Sequence, residues 1–343
     1  MSAVKFESLI LNEDRNVKLS CFLLDCCCTY IPAKERPAVI ILPGGAYQFH
    51  SDRESEPVAQ AFLDAGFHAF ILYYSVGRHA VWPNPLTDYE QAADVICSHA
   101  EDWHVCTDKI AVIGFSAGGH LAACAATMAK KRPAAAILGY PVINDYIAEI
   151  CTPGLPLPAD HVDRRTSPCF LFGCRDDRLV DVSNFLAFES ALARQGIQFE
   201  SHLYAMGGHG FSTGAEEFQE QRLCSRVSRW TDDAVNWLGD IWGKMMPTGF
   251  SESSVPSHVN KDGTDLLSLD CTIAYLRGQS AARPLLDRLF SLADQLFVGR
   301  GLPERSVKAF EQAYTMRFLA AVSGMDAESM QALDAQLMLL AAE

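Results

Sequence analysis

Residues 109–127 read Lys109-Ile-Ala-Val-Ile-Gly-Phe-Ser116-Ala-Gly-Gly-His-Leu-Ala-Ala-Cys-Ala-Ala-Thr127. The run begins as a short apolar strand (109–113), turns at Gly114-Phe115-Ser116-Ala117-Gly118, and continues as a small-residue helix. A serine hydroxyl is a poor nucleophile at neutral pH, so a protein that uses one must expose it and supply a base. A G-x-S-x-G turn between strand and helix does the exposing. The chain reverses so sharply that a Cβ at Gly114 or Gly118 would collide with the neighbouring turn. Ser116 then sits at a strand tip beside a helix N-terminus, whose free N–H groups favour developing negative charge. A phosphate-binding turn is the other reading of a glycine-rich strand-to-helix junction. It is disfavoured because neither Gly-Lys-Ser/Thr nor G-x-G-x-x-G occurs here.

Working outward, residues 4–245 alternate strand-like and helix-like segments. Residues 4–11 and 17–24 alternate apolar and polar, as an antiparallel pair at a sheet edge would. Pro37-Ala-Val-Ile-Ile-Leu42 is a continuous apolar run ending in the turn Pro43-Gly44-Gly45. Residues 56–65 have helical spacing with Gly66 as cap, 68–74 read as a strand, and 86–100 as an amphipathic helix. Residues 136–140, 169–173 and 199–204 complete the strands, and a helix is expected to begin near Val182. Strands alternating with helices predict an α/β fold with a mostly parallel, doubly wound sheet, with reactive groups at the C-terminal strand ends.

Beyond residue 246 the composition changes. Residues 247–264 are rich in Ser, Pro, Gly, Asn and Asp and read as a linker. Residues 265–276, 284–297, 303–322 and 326–342 read as helices of a small all-helical domain spanning 265–343. We expect a packed accessory bundle without catalysis, serving homo-oligomerisation or covering part of the 1–246 domain.

Composition narrows the function. The chain has 343 residues, is 49% hydrophobic and 20% charged, and carries a net charge of −14. That balance argues against nucleic acid or an anionic membrane as partner. Among its 12 cysteines, Cys26, Cys27 and Cys28 are adjacent, and no C-x-x-C pair suggests a zinc site. Cys97, Cys124 and Cys169 lie in apolar runs and read as small buried residues. The start Met1-Ser-Ala-Val-Lys-Phe-Glu7 lacks a secretory-signal pattern, and no stretch approaches a membrane span. A cytoplasmic location with reduced thiols is expected.

A base should lie on a loop downstream of Ser116. His209, in Met206-Gly-Gly-His-Gly-Phe211, follows strand 199–204, and its flanking glycines let an imidazole reach across strand ends. His202 is expected to pack or face solvent, and His120 to frame the serine turn. The orienting acid should come from Gly173-Cys-Arg-Asp176-Asp177, directly after strand 169–173. Asp177 is favoured because the residues behind it lead into a helix, with Asp176 capping the turn and Asp145 a more distant alternative. The order Ser116, Asp177, His209 is that of one serine-hydrolase architecture and not of the others. Backbone N–H groups for an oxyanion would come from Ala117 and from Gly45 or Ala46.

On these residues the chain resembles α/β-hydrolases of the esterase/lipase group that includes acetyl esterases and acetyl-xylan-esterase-like proteins. The stretches 37–47, 51–57, 73–76, 114–121, 177–180 and 207–210 carry the resemblance, which ends near the linker. It implies a Ser116–His209–Asp177 triad, an acyl-enzyme intermediate and no metal or organic cofactor. Two positions depart from the pattern. Pro43-Gly-Gly-Ala46 stands where related lipases have His-Gly-Gly-Gly, and Asp181 where many relatives have proline. The segment 142–168 is short and carries Pro153, Pro156 and Pro158, so a small acyl group such as acetyl and an open leaving-group side are expected. Tyr47, Phe49, Tyr74 and Trp82 could line that side and stack on a sugar, or serve as ordinary packing. The substrate would be a small-molecule ester, with acetylated sugar one candidate. A serine peptidase or amidase on the same fold, or a non-catalytic scaffold working through its helical tail, are the alternatives.

Overall fold

The structure is a computed structural model that describes residues 4–25, 34–143, 152–215, 222–246, 249–255, 267–297 and 301–340. The chain divides into two compact units, Met1–Pro256 and Ser257–Glu343.

The first unit is built on an eight-stranded sheet: β1 (Val4–Asn12), β2 (Val17–Leu24), β3 (Arg36–Leu42), β4 (His68–Tyr73), β5 (Val105–Phe115), β6 (Ala135–Gly139), β7 (Cys169–Cys174) and β8 (Phe199–Tyr204). Their spatial order is β1-β2-β4-β3-β5-β6-β7-β8. β1 pairs antiparallel with β2, as the alternating patterns of 4–11 and 17–24 lead one to expect, and β2 also pairs antiparallel with β4. The other five pairings are parallel. All seven residues of β3 are buried, because helices cover both sides of a central parallel strand. Ala38, Ile40 and Leu42 face a cluster with helices Asn84–Ser98, Ala117–Met128 and Val182–Arg194. Val39 and Ile41 face the opposite cluster, with helices Glu56–Asp64 and Trp230–Trp242. Alternation along one strand thus feeds two cores, each buried leucine-sized side chain contributing about 1.5–3 kcal/mol.

β5 is longer than its apolar run. It begins at Val105, paired to Arg36, while Thr107 and Asp108 are exposed and break the hydrophobic signal. Part of the stretch read as linker belongs to the first unit: Gly249–Phe250 pairs with Met245–Met246, and Ser254 N–H donates to Asp240 O. Cys124 and Cys169 are buried as expected. Cys97 is not: it is half-buried, with Lys131 Nζ 2.8 Å from its sulfur. Cys26, Cys27, Cys28 and Asp145 lie outside the described residues.

The second unit contains helices Ile273–Gly278, Arg283–Phe297, Glu304–Ala313, Met316–Val322 and Ala327–Leu337 around Leu276, Leu286, Leu289, Met316 and Leu319. Two expectations need correction. The helix expected over 265–276 starts only at Ile273. Leu267, Leu269 and Cys271 are buried at two-residue spacing, with Leu269 O and Cys271 O accepting from Arg317 N–H and Met316 N–H. The helix expected over 303–322 breaks at Tyr314-Thr315, where Thr315 bridges to Thr272. No helix among the described residues is long and apolar enough to cross a membrane.

Candidate active site

Ser116 stands between β5 and helix Ala117–Met128 at φ 53°, ψ −117°. Few residues adopt this conformation without being held there. Ser116 N–H donates to Gly139 O (3.0 Å), and Ser116 O accepts from His120 N–H (2.9 Å) and Val142 N–H (3.2 Å). Both elbow glycines are required: a Cβ at Gly114 would lie 2.1 Å from Gly118 O, and one at Gly118 2.1 Å from Leu42 O. The helix therefore starts in backbone contact with the end of β3, beside the Pro43-Gly44-Gly45 turn.

β7 delivers Asp176 and Asp177, and the loop after β8 delivers His209. His209 Nε2 lies 2.9 Å from Ser116 Oγ, and His209 Nδ1 lies 2.6 Å from Asp177 Oδ2. Asp177 is 6% exposed, and its Oδ1 accepts from Leu179 N–H and Val180 N–H, each at 2.9 Å. A carboxylate can only accept, so Nδ1 carries the proton and Nε2 accepts from the serine hydroxyl. Asp176 does something else. Its Oδ1 accepts from Gly207 N–H and Gly208 N–H, each at 2.9 Å, which ties the histidine loop to β7. Asp181, the departure from the related pattern, caps helix Val182–Arg194 by accepting from Ser183 N–H.

Across from the histidine, the Gly44–Ser51 turn runs through three successive positive φ values: Gly45 131°, Ala46 53° and Tyr47 58°. A Cβ at Gly45 would lie 2.1 Å from Phe49 O, so only glycine fits. Gly44 O accepts from Ser51 N–H, and Gly45 O from Gln48 and Phe49 N–H. The expected oxyanion donors Gly45 and Ala46 lie in this turn, and Ala117 opens the helix that follows Ser116. Gly44 N–H is not one, because it donates to Glu54 Oε2 at 2.8 Å.

Of the four aromatic residues that could line the leaving-group side or serve as ordinary packing, two are buried. Tyr47 and Tyr74 are each 1% exposed, with hydroxyls on His120 Nδ1 (2.8 Å) and Pro43 O (2.6 Å). Tyr74 thereby bonds to the residue that precedes the turn, and Tyr47, itself part of the turn, bonds to the helix that follows Ser116. Phe49 is 61% exposed and Trp82 half-buried, leaving ring surface for a ligand. A cleft of about 500 Å³, lined by Arg15, Asn16, Lys18, His50, Tyr73, Val76 and His79, adjoins the turn at His50. Sequence reasoning missed this cleft, as it missed Glu54, which is buried within a charged run.

His120 frames the serine turn as expected, linking Tyr47 to Pro156 O through its two ring nitrogens. His68 is likewise enclosed, its Nδ1 accepting from Leu24 N–H and its Nε2 facing His104 O. His68 Nδ1 can accept from Leu24 N–H only in the neutral ring, and a neutral His120 donates from Nε2 to Pro156 O and accepts at Nδ1 from the Tyr47 hydroxyl. Burial pushes both imidazoles down to about 4. An unfolded histidine titrates near 6.5, so below that pH the unfolded chain takes up protons that the folded one refuses. The stabilisation is complete above about pH 6.5 and falls as the pH drops towards 4, by roughly 3 kcal/mol per histidine. Urea unfolding midpoints should therefore decline between pH 6.5 and 4.5. A flat midpoint over that interval would contradict the neutral assignment.

Comparison with known proteins bears on the fold and the family. The family model BD-FAE matches residues 24–149. The chain is similar to the α/β-hydrolase enzyme MGS-M1 from a Medee basin deep-sea metagenome library: 38% identity over 70% of this chain and 98% of that one, with a TM-score of 0.64. It is also similar to an acetylxylan esterase of Xylanibacter ruminicola, 27% identical over 266 residues, covering 70% of this chain and 51% of that protein. An endo-1,4-beta-xylanase B of Butyrivibrio fibrisolvens is 28% identical over 214 residues, 54% of this chain and 34% of that protein. The chain thus spans about a third to a half of the length of these two curated relatives.

Proposed function

The chain belongs to the α/β-hydrolase family, and on that premise we propose that it hydrolyses carboxylic esters through Ser116, His209 and Asp177, with acetylated carbohydrates as its substrates. The observation that carries the reading is the unbroken hydrogen-bond line from Ser116 Oγ through both ring nitrogens of His209 to Asp177. Ser116 Oγ attacks the ester carbonyl carbon while its proton passes to His209 Nε2. Asp177 holds the imidazole in the accepting tautomer and stabilises the imidazolium. The oxyanion is met by Ala117 N–H with Gly45 or Ala46 N–H. His209 then protonates the leaving alcohol, and water, activated by the same imidazole, releases the acid from Ser116.

The preference for acetyl rests on the segment after β6. Its described part, residues 152–168, holds one short 3-10 turn, Pro158–His161, and is fastened to His120 through Pro156 O. The segment as a whole, 142–168, is short and carries Pro153, Pro156 and Pro158, which favours a small acyl group. The half-open rings of Phe49 and Trp82 and the polar cleft beside the turn suit a sugar alcohol, and the similarity to an acetylxylan esterase supports the same class. The test is a panel of acetylated xylo-oligosaccharides, p-nitrophenyl esters from acetyl to long-chain, and peptide amides. Acetyl esters should be turned over fastest. Faster long-chain turnover would remove the acetyl assignment, and amide cleavage without esterolysis would move the chain to the amidases.

A further inference from the structure

We propose that Glu54 is a positioning residue whose buried side chain locks the oxyanion turn to the histidine loop, so that both halves of the site reach a substrate carbonyl in one fixed arrangement. The inference rests on the proposed esterase reading and assigns a role to a residue outside its triad and its oxyanion donors.

Three segments meet at this carboxylate. Gly44 N–H, from the turn after β3, donates to Oε2 at 2.8 Å. Tyr140 Oη, at the end of β6, donates to Oε1 at 2.6 Å. Tyr140 Oη in turn accepts from Ser212 N–H at 3.0 Å, three residues beyond His209. Ser212 closes the loop: its hydroxyl donates to Arg53 O, next to Glu54, and its carbonyl accepts from Trp230 Nε1. The Tyr140 ring packs edge-on against His209 (centroids 4.9 Å apart) and against Phe211 (4.8 Å). A rigid chain of contacts therefore runs from the turn that would bind the oxyanion to the base.

The chemistry of the side chain matters as much as its shape. Gly44 N–H and Tyr140 O–H are both donors, so the side chain between them must accept twice. A carboxylate does so, whereas an amide turns its NH2 towards one of them. Burying a carboxylate costs several kcal/mol. Glu54 is 3% exposed, and burial pushes its carboxyl above the usual range, opposed by the bonds from Tyr140 and Gly44 and by the nearby His209. An apolar residue would fill the space at lower cost but would leave both donors unpaired. There is also no slack: a Cβ on Gly44 would lie 2.7 Å from Glu54 Oε2 and 3.1 Å from Ser116 Cβ. Gly44 is thus wedged between the carboxylate and the nucleophile, and any shift of Glu54 moves the turn relative to Ser116.

The experiment compares Glu54→Gln, Tyr140→Phe and the double variant, using p-nitrophenyl acetate, with active serines counted by a fluorophosphonate probe. Glu54→Gln should lower kcat per labelled serine about ten- to hundredfold, less than outright removal of an oxyanion donor, with KM within about twofold. Binding of a trifluoromethyl ketone, which forms a tetrahedral adduct, should weaken by the same factor. Because both substitutions cut one link, the double variant should lose no more than the worse single one. If Glu54→Gln does not fold, Tyr140→Phe, which removes only a hydroxyl, carries the same expectation. Unchanged kcat per labelled serine, even with a lowered melting temperature, reduces Glu54 to a structural role and overturns the proposal, as do losses that multiply in the double variant. Full activity and no labelling change in Ser116→Ala would instead overturn the esterase reading itself.

Discussion

Ser116→Ala should reduce ester hydrolysis by about 10⁴- to 10⁶-fold, as loss of a triad nucleophile does elsewhere, while the protein stays folded. The substitution removes one oxygen and one hydrogen bond, the 2.9 Å contact to His209 Nε2. The backbone of residue 116 stays at φ 53°, held by its bonds to Gly139, His120 and Val142, and alanine tolerates that conformation about as well as serine. Residue 116 is half-buried, so no large cavity opens. Activity and stability should therefore separate: kcat/KM collapses, and the melting temperature moves by a few degrees at most. Hydrolysis that persists in a well-folded Ser116→Ala protein would end the assignment of the nucleophile.

Asp177→Asn should cost about 10⁴-fold in kcat, whereas the same change at Asp176 should cost less than about threefold. The contrast follows from what each oxygen does. Asp177 Oδ1 accepts from Leu179 and Val180 N–H, so an asparagine keeps its carbonyl there and turns its NH2 towards His209 Nδ1. A donor facing Nδ1 forces the proton to Nε2, and the imidazole can then no longer accept from Ser116. Asp176 binds Gly207 and Gly208 N–H through one oxygen, which an asparagine carbonyl reproduces. Steady-state kinetics on the two variants decides which aspartate orients the base, and the reverse ranking would exchange their roles.

Much of this architecture could be read before any coordinates. The strands 17–24 and 199–204 and the helix start at Val182 coincide with their expected bounds, since each lies between clear turn signals. Gly114 to Gly118 identifies the elbow because only close backbone approach explains both glycines. The errors share a cause. β5 starts before Lys109 because its pairing reaches back to Val105 across a register shift, in which polar Thr107 and Asp108 are exposed. The split between Glu304–Ala313 and Met316–Val322 comes from a backbone bridge to Thr272, forty-three positions away. Helical spacing is local, whereas the partner that interrupts it is not.

The residues of the site divide along the same line. Ser116, His209 and Asp177, which the structure joins by hydrogen bonds, could be picked out from sequence because each leaves a local mark: glycines where a loop must bend, an apolar strand just before it, a fixed chain order. Glu54 leaves none. It follows exposed Asp52 and Arg53 in a charged run and looks like any solvated carboxylate. Tyr47 and Tyr74 look like binding-site aromatics until their burial is known. Their environments are set by chain segments far away in sequence, since Tyr140 reaches Glu54 across eighty-six positions. Local propensity and strand order are written along the chain. Which polar groups end up buried, and against which donors, is decided only when distant strand ends are brought together.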